Sequence, residues 1–483
     1  MDLNLSESDK RQNGLFHENE FLASASVFRE YDIRGLAGSE ITDGFAKCLG
    51  VTLGELALSR NQQTFFVGRD ARLTSPSLAE SLCTGLKSAG CNVLNLGEVT
   101  TPILNFAIDQ DLTCKSGVMV TASHNAADYN GFKMIIGGEV ISGQELQRLK
   151  STLKPNGFPS KASSPQITKD IIPQYSQHIV GDSCIDRPFN LVVDAGNSVA
   201  GPIAVSLFKR LGCSVEPLYC DVDGSFPNHE PNPSDAKNLQ DLIAKVISTG
   251  SDLGFAFDGD GDRLVVISAS GSIVWPDRLT MIFARDLLEK TPGGGVVFDV
   301  KSTMRLKELI IECKGLPTIC KTGHSHIRKA VRDQNALIGG EFSGHIFFND
   351  RWGGFDDGLY AGMRLLEILC QKHNGRIKTL DEIVSEFKPS SYSPEILIPV
   401  ADEKKFLLMD SLQTNCVFDG GKIIRLDGMR VEYSGGWGLI RASNTTPNLT
   451  LRFEADDDIQ LAAIKARFRK ELNPFINQLE DYI

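Results

Sequence analysis

The stretch LGFAFDGDGDRLVVIS, residues 253–268, sets Asp258, Asp260 and Asp262 at alternate positions, separated by single glycines and flanked by apolar runs. In a straight strand, carboxylates at i, i+2 and i+4 share a face but stand about 7 Å apart. Gly259 and Gly261 permit the backbone to curl and bring the oxygens to one ion. Three adjacent carboxylates repel one another strongly unless a cation sits among them. The plainer reading is a glycine-rich acidic turn between strands, although such a turn has no need of so regular an alternation. An EF-hand does not fit, because it needs Gly at its sixth position and Glu at its twelfth, where this chain has Arg263 and Ala269. Mg2+ fits better: it takes few protein oxygens and leaves the remaining coordination to water or phosphate. Arg263, next to the acids, suits a second contact to the same phosphate.

VTASHNAADYNGFKM, residues 120–134, ends an apolar run on Ser123 and His124, with Lys133 ten positions beyond Ser123. A hydrolase nucleophile elbow reads Gly-x-Ser-x-Gly, and those glycines are missing here. Taken alone, Ser123 is a cap or loop serine. Beside a magnesium loop, the better reading is a serine that carries phosphate and completes the metal's coordination, with Lys133 or His124 managing protons or charge. GGEFSGHIFF (339–348) places Glu341, Ser343 and His345 at alternating positions, suited to vicinal sugar hydroxyls or to an incidental polar turn. RASNTTP (441–447) groups Arg441, Ser443, Asn444 and Thr445 in one loop, a phosphate-binding composition or again a simple turn. KTGHSHIRK (321–329) adds His324, and FREYDIRG (28–35) adds Tyr31 and Arg34, positions where such residues are more often structural. GFDDG (354–358) is acidic without a pattern that assigns it a role.

These residues need rigid elements to hold them. TFFVGRDAR (64–72), NLVVDAGNS (190–198) and GGVVFDVKST (295–303) are each a short apolar run ending in Asp and small or basic residues. Each is followed by a helical pattern, and after the first two come new apolar runs, CNVLNLGEV and CSVEPLYCD. Strand, helix, strand at this spacing predicts βαβ units, mostly parallel sheet, and a domain-sized repeat. KPNGFPSKASSP (154–165) and KPSSYSP (388–394) read as loops near domain boundaries. Beyond them, EILIPV, GKIIRLDGMRVEYS, GWGLIRAS and LTLRFEA read as strands, with Asp427-Gly428 as a hairpin turn and a closing helix from DIQLAAIKARFRKELNPF. The division expected is a loose tail (1–23), α/β domains at 24–167, 168–272 and 273–386, and a smaller α+β domain at 387–483.

Bulk composition agrees. A chain of 483 residues is long enough for about three or four domains. A net charge of −11 argues against attraction to nucleic acid or anionic membrane, so an anionic substrate needs a local basic cluster. The 11 cysteines are scattered, with neither zinc-knuckle nor Cys-x-x-Cys spacing, as in a reduced, cytoplasmic protein. MDLNLSESDKRQNG is no signal peptide, and no apolar run reaches the roughly 18 residues of a membrane helix.

Together these stretches resemble the phosphohexomutase superfamily, specifically its bacterial phosphomannomutase/phosphoglucomutase branch. TASHN resembles the phosphoserine loop, DGDGDR the magnesium loop, GEFSGH the sugar-specificity loop and RASNTTP the phosphate-binding loop. FREYDIRG, VGRDAR, YNGFKM, WPDRLT, FDVKST and KTGHS resemble its framework, in matching order from about residue 26 onward. The resemblance implies three topologically similar α/β domains plus a C-terminal α+β domain around a central active-site cleft. It implies that Ser123 is phosphorylated and passes phosphate to a hexose monophosphate, giving a 1,6-bisphosphate that reorients and returns its other phosphate. Mg2+ would be held by Ser123 phosphate, Asp258, Asp260 and Asp262, with glucose 1,6-bisphosphate as activator. Lys133 and His345 are implied in proton transfer, and His124, Arg263 and Arg34 in support of the moving phosphoryl group. Glu341 and Ser343 are implied at the sugar hydroxyls, Arg441, Ser443, Asn444 and Thr445 at the distal phosphate, and Tyr31, Lys301 and His324 as further ligand contacts. A mobile C-terminal domain, hexose phosphate substrates and a monomer or weak homodimer are expected.

Three positions depart from the branch: Phe342 where Met is usual, Trp275 where Tyr is frequent and Ser198 where Gly is usual, none expected to touch the chemistry. Phosphoglucosamine mutase is the nearest alternative, and Phe342 argues against it because Gln is usual there. A haloacid-dehalogenase-like phosphatase would use Asp258 as nucleophile and Asp260 as acid, but leaves TASHN and RASNTTP without work. A non-catalytic sugar-phosphate-binding regulator would leave every reactive residue idle.

Overall fold

The computed structural model describes residues 27–153, 166–373, 375–444, 446–476 and 479–483. The expected tail (1–23) and the 154–165 stretch lie outside the described residues. The rest forms two compact units. One comprises the described residues up to Glu98 with Gln110–Ala122 and Ala127–Asp170; the other comprises Val99–Asp109, Ser123–Ala126 and the residues from Ile171 onward.

The first unit is built on a seven-stranded sheet of β1 (Ile33–Leu36), β2 (Thr64–Arg69), β3 (Asn92–Glu98), β4 (Gly117–Val120), β5 (Tyr129–Ile136), β6 (Glu139–Val140) and β7 (Gln166–Thr168). Its order is β1-β5-β4-β2-β3-β7, with β6 paired to β5.

The second unit holds three larger sheets and a hairpin. β8 (Asn190–Asp194), β9 (Ser214–Leu218), β10 (Leu253–Phe257), β11 (Leu264–Ser268) and β12 (Ile273–Val274) run in the order β12-β11-β10-β8-β9. β13 (Gly295–Asp299), β14 (Leu316–Cys320), β15 (Ile338–Gly340) and β16 (Ile346–Phe348) run β14-β13-β15-β16. β17 (Lys372–His373) pairs with β18 (Arg376–Ile377). β19 (Ser391–Tyr392), β20 (Ile396–Pro399), β21 (Lys422–Ile424), β22 (Met429–Tyr433), β23 (Gly436–Ala442) and β24 (Asn448–Ala455) form an antiparallel sheet, β19-β24-β23-β22-β21, with β20 also on β24.

Counted from β2, β8 and β13, the three α/β sheets share one topology: second, first, third, fourth. The first three strands of each are parallel, and helices Ser75–Ala89, Ala200–Arg210 and Met304–Glu312 make the first crossover. The expectation of mostly parallel sheet needs one correction, because the fourth strand returns antiparallel in every case. The links 121–128, 258–263 and 341–345 are too short for the dozen or more residues a parallel crossover takes. β10 and β11 are buried at every residue, so their unbroken apolar runs are covered on both faces.

Among the elements that the sequence reading did not name, three have a visible physical reason. β14 carries Pro317, which an edge strand tolerates because it need not donate to a further neighbour. Helix Asp402–Asn415 has no continuous apolar stripe in DEKKFLLMDSLQTN. KPSSYSP is not loop throughout, since Ser391 and Tyr392 pair with Ala455 and Glu454 of β24. The Asp427-Gly428 turn does join β21 to β22 as expected.

Candidate active site

In each α/β sheet the connection from third strand to fourth carries residues that could do chemistry. These connections carry Ser123, the acidic run 258–263, and Glu341, Ser343 and His345. Within the second unit, Ser123 Oγ donates a 2.7 Å hydrogen bond to Asp258 Oδ2 and lies 3.3 Å from His124 Nδ1. Ser123 has φ 50°, a left-handed conformation costing about 1 kcal/mol or more in a residue with a Cβ.

Gly259 answers to that serine. A Cβ on it would fall 2.2 Å from the Ser123 carbonyl oxygen, so only glycine lets the two loops meet. Gly261 takes φ +75°, which curls the acidic loop. One carboxylate oxygen each of Asp258, Asp260 and Asp262 then lies within 4.8 Å of the others, all three side chains buried. Thr101 fastens the loop by giving its N–H to the Asp260 carbonyl (2.9 Å) and its hydroxyl to Asp260 Oδ2 (2.5 Å). Ser198 Oγ donates to the Asp258 carbonyl at 3.3 Å, correcting the expectation that this departure stands clear of the site. Buried carboxylates this close, all hard oxygen donors, fit a divalent cation such as Mg2+.

The acidic loop is stitched to the 341–345 loop. Arg263 and His345 form an antiparallel bridge, and Leu264 N–H donates to the Gly344 carbonyl at 3.1 Å. His345 Nε2 lies 3.2 Å from Asp262 Oδ1, and Nδ1 lies 3.3 Å from Glu341 Oε2 and 2.8 Å from Ser343 Oγ. Burial alone would push the imidazole pKa down; the Asp262 and Glu341 carboxylates more than reverse this and hold it at about 10. Glu341 is the complement: burial pushes it up, but His345, Lys301 and Arg263 bring it down to about 2. Arg263 Nε donates to His345 Nε2 at 3.3 Å, a bond the imidazole accepts only with that nitrogen unprotonated, so Asp262 and Arg263 compete over the proton on Nε2. A dication on Asp262 would cancel part of that acid pull.

His324 opens helix His324–Asp333, and its ring centroid lies 5.7 Å from that of His345. His324, His345 and Asp356 also converge within 4.8 Å. The aspartate triad, with oxygen donors alone, suits Mg2+ better than this mixed trio. Lys301 Nζ pairs with Glu395 at 3.2 Å. Arg441 Nε donates to Asp427 Oδ2 at 2.9 Å, and the same oxygen accepts from Thr322 N–H at 3.1 Å. The hairpin turn thus ties the 441–447 loop to KTGHS. Ser443 Oγ accepts from Thr446 Oγ1 at 2.8 Å, Asn444 is half-buried, and Thr445 lies outside the described residues.

Arg34, Lys133 and Tyr31 belong to the first unit. Arg34 on β1 is buried against Asp32 at 2.5 Å, and Lys133 on β5 is buried opposite Met119 of β4. Tyr31 is half-buried just before β1.

GFDDG, unassigned from sequence, is part of the second unit's site. Asp356 Oδ2 lies 4.0 Å from His345 Nε2, and its backbone bridges Phe347. Asp357 caps helix Gly358–Cys370 by accepting from Tyr360 N–H, and also accepts from Tyr175 Oη at 2.9 Å. Burial pushes its carboxyl up to about 7, against those hydrogen bonds. Gly358 N–H donates to the Gly261 carbonyl at 3.2 Å, so the capped helix braces the acidic loop. The run of two acids before a glycine was the available signal, but only the fold brings it to His345.

Models of the phosphoglucomutase/phosphomannomutase family match in order: α/β/α domain I at residues 25–159, domain II at 173–271, domain III at 275–390 and the C-terminal domain at 395–471. The chain is 47% identical over 448 residues to a phosphomannomutase/phosphoglucomutase of Pseudomonas aeruginosa, covering 93% of this chain and 96% of the relative. It is 45% identical to a phosphoglucomutase of Neisseria gonorrhoeae, covering 93% and 98%. A crystal structure of a phosphoglucomutase/phosphomannomutase family protein from Burkholderia thailandensis superposes with TM-score 0.88 at 42% identity, covering 95% of this chain and 99% of that one.

Proposed function

The chain belongs to the phosphoglucomutase/phosphomannomutase family, and from that premise we propose that it interconverts hexose 6-phosphates and hexose 1-phosphates, of mannose and of glucose, through a phosphoserine at Ser123. The observation that carries this reading is the 2.7 Å contact of Ser123 Oγ with Asp258, inside a loop of three buried carboxylates. A plain serine hydrolase has no use for an acidic cluster at its nucleophile. A serine bearing phosphate does, because the carboxylates would hold a cation that offsets the phosphate's charge.

The reaction is two phosphoryl transfers. In the first, the P–Oγ bond at Ser123 breaks as a bond forms to the free O1 or O6 hydroxyl of the bound hexose monophosphate; that hydroxyl loses its proton and Oγ gains one. The resulting 1,6-bisphosphate turns end for end. In the second, its other phosphate returns to Ser123 and the isomeric monophosphate leaves. Asp258, Asp260, Asp262 and the Ser123 phosphate would hold Mg2+, which supplies charge neutralisation to the phosphoryl group. Arg263 and His124 stand by to support the same charge.

His345, whose proton the Asp262 and Glu341 carboxylates favour, serves the leaving oxygen as proton donor. Lys133 takes the proton of the attacking hydroxyl, and Arg34 adds positive charge; both are assigned by resemblance, as is Tyr31 at the ligand. Glu341, kept ionised by His345 and Lys301, accepts from sugar hydroxyls beside Ser343. Arg441, Ser443, Asn444 and Thr445 clamp the non-reacting phosphate, with Lys301 and His324 as further contacts. Glucose 1,6-bisphosphate acts as activator by rephosphorylating Ser123. The scattered cysteines suit a cytoplasmic compartment, and the chain works as a monomer or weak dimer. Among the described residues no helix is long and apolar enough to cross a membrane.

Phosphorus NMR of mannose 1-phosphate incubated with the protein, Mg2+ and a trace of glucose 1,6-bisphosphate tests the reading. A mannose 6-phosphate signal, lost in Ser123→Ala, is expected. Inorganic phosphate as the main product would mean that water is the acceptor and would overturn it in favour of a phosphatase acting through Asp258.

A further inference from the structure

Two of the three departures from the family pattern lie side by side. The rings of Trp275 and Phe342 lie nearly parallel, 29° apart, with centroids separated by 6.3 Å. The Arg452 guanidinium, from β24 of the C-terminal sheet, lies 3.5 Å from the Phe342 ring centroid, and Lys301 Nζ lies 5.5 Å from it. Arg452 is buried, and two of its nitrogens are tied down: one donates to the Lys301 carbonyl and another to Asp277 Oδ2 at 3.3 Å. Asp277 in turn accepts from Thr303 N–H at 3.0 Å. Phe342 N–H donates to Asp299 Oδ1 at 3.3 Å, so ring and backbone of this residue are both held.

Phe342 stands between Glu341 and Ser343 in the chain, the two residues assigned to the sugar hydroxyls. We propose that Phe342 is a positioning residue: its ring, clasped by Arg452 and flanked by Trp275, registers the 341–345 loop against the C-terminal domain, so that the sugar contacts and the phosphate clamp are set together. The inference rests on the assignment of Glu341 and Ser343 to the sugar. A guanidinium withdrawn from water and stacked on an aromatic face gains more than an exposed one, which makes the clasp directional. A methionine at 342 keeps apolar bulk but offers no quadrupole to the cation. The clasp acts through loop position, so it does not distinguish mannose from glucose.

The test is a double-mutant cycle on Phe342→Met and Arg452→Met, with KM and kcat measured for mannose 1-phosphate and glucose 1-phosphate. Phe342→Met is expected to raise KM by between about 2-fold and about 30-fold, by the same factor for both sugars, with kcat held within about 2-fold. Phe342→Tyr, which keeps the ring, restores KM, and in the Arg452→Met background Phe342→Met adds nothing further. Phe342→Leu serves as the second ring-free variant, and melting temperatures identify a variant that has lost its fold. Unchanged KM in a folded Phe342→Met protein, multiplying effects of the two substitutions, or unequal factors for the two sugars would each overturn the clasp. Glu341→Gln separates this from the underlying reading. If it leaves KM unchanged, the sugar assignment itself fails; if it raises KM while Phe342→Met does not, the clasp alone fails.

Discussion

Replacing Asp357 with Asn changes the pH dependence of stability in a way the geometry specifies. Asp357 is 1% exposed, and burial raises its carboxyl from the ordinary 3.8 to about 7. A carboxyl raised on folding binds its proton more tightly in the native than in the unfolded chain. Its stabilisation is therefore complete below pH 3.8 and is lost as pH rises to about 7. At 1.36 kcal/mol per pH unit, the whole interval corresponds to about 4 kcal/mol, of which about 2 kcal/mol falls between about pH 5 and about pH 7. Asparagine cannot ionise, yet keeps an Oδ1 acceptor for Tyr360 N–H and Tyr175 Oη, each 3.0 Å from Asp357 Oδ1. Urea unfolding of both proteins at about pH 5, 6, 7 and 8 isolates the effect, because every other titrating group is common to the two. The variant is expected to gain on the wild type by about 3 kcal/mol across that range, with the gain flattening above pH 7. A difference independent of pH would refute the reasoning and show Asp357 to be ionised in the folded protein throughout.

The site itself yields three more expectations. Gly259→Ala drives a methyl group to 2.2 Å from the Ser123 carbonyl and must part the two loops; turnover is expected to fall about 100-fold or more with the fold intact, and unchanged kcat would refute the close approach. Mg2+ at about 100 times its Kd should stabilise the protein by about 2.7 kcal/mol, read as a rise in melting temperature. An equal rise in an Asp258→Asn/Asp260→Asn protein would remove the ion from the triad. Arg441→Ala is expected to raise KM and lower kcat, whereas unchanged kinetics would take the 441–447 loop out of the site.

What could be read from the chain was chemistry contiguous along it. Asp258, Asp260 and Asp262 announce a cation because they alternate with glycines that let the backbone curl, and the three βα signals announce parallel sheet because apolar period and helix length are local. Ser123 alone was ambiguous, since a serine after a strand has several ordinary fates; only Asp258, 135 residues away, 2.7 Å from its hydroxyl, selects among them. GFDDG was visible and unplaceable until helix Gly358–Cys370 brought Asp356 to His345 and Gly358 to the acidic loop. The proton state of His345 lay equally beyond the chain, because it depends on carboxylates from two different loops meeting around one buried imidazole. The sequence by itself determined which groups are present and which elements carry them. The tertiary structure decided which of them share a low-dielectric enclosure, and there a few ångströms of separation set charge, pKa and reactivity.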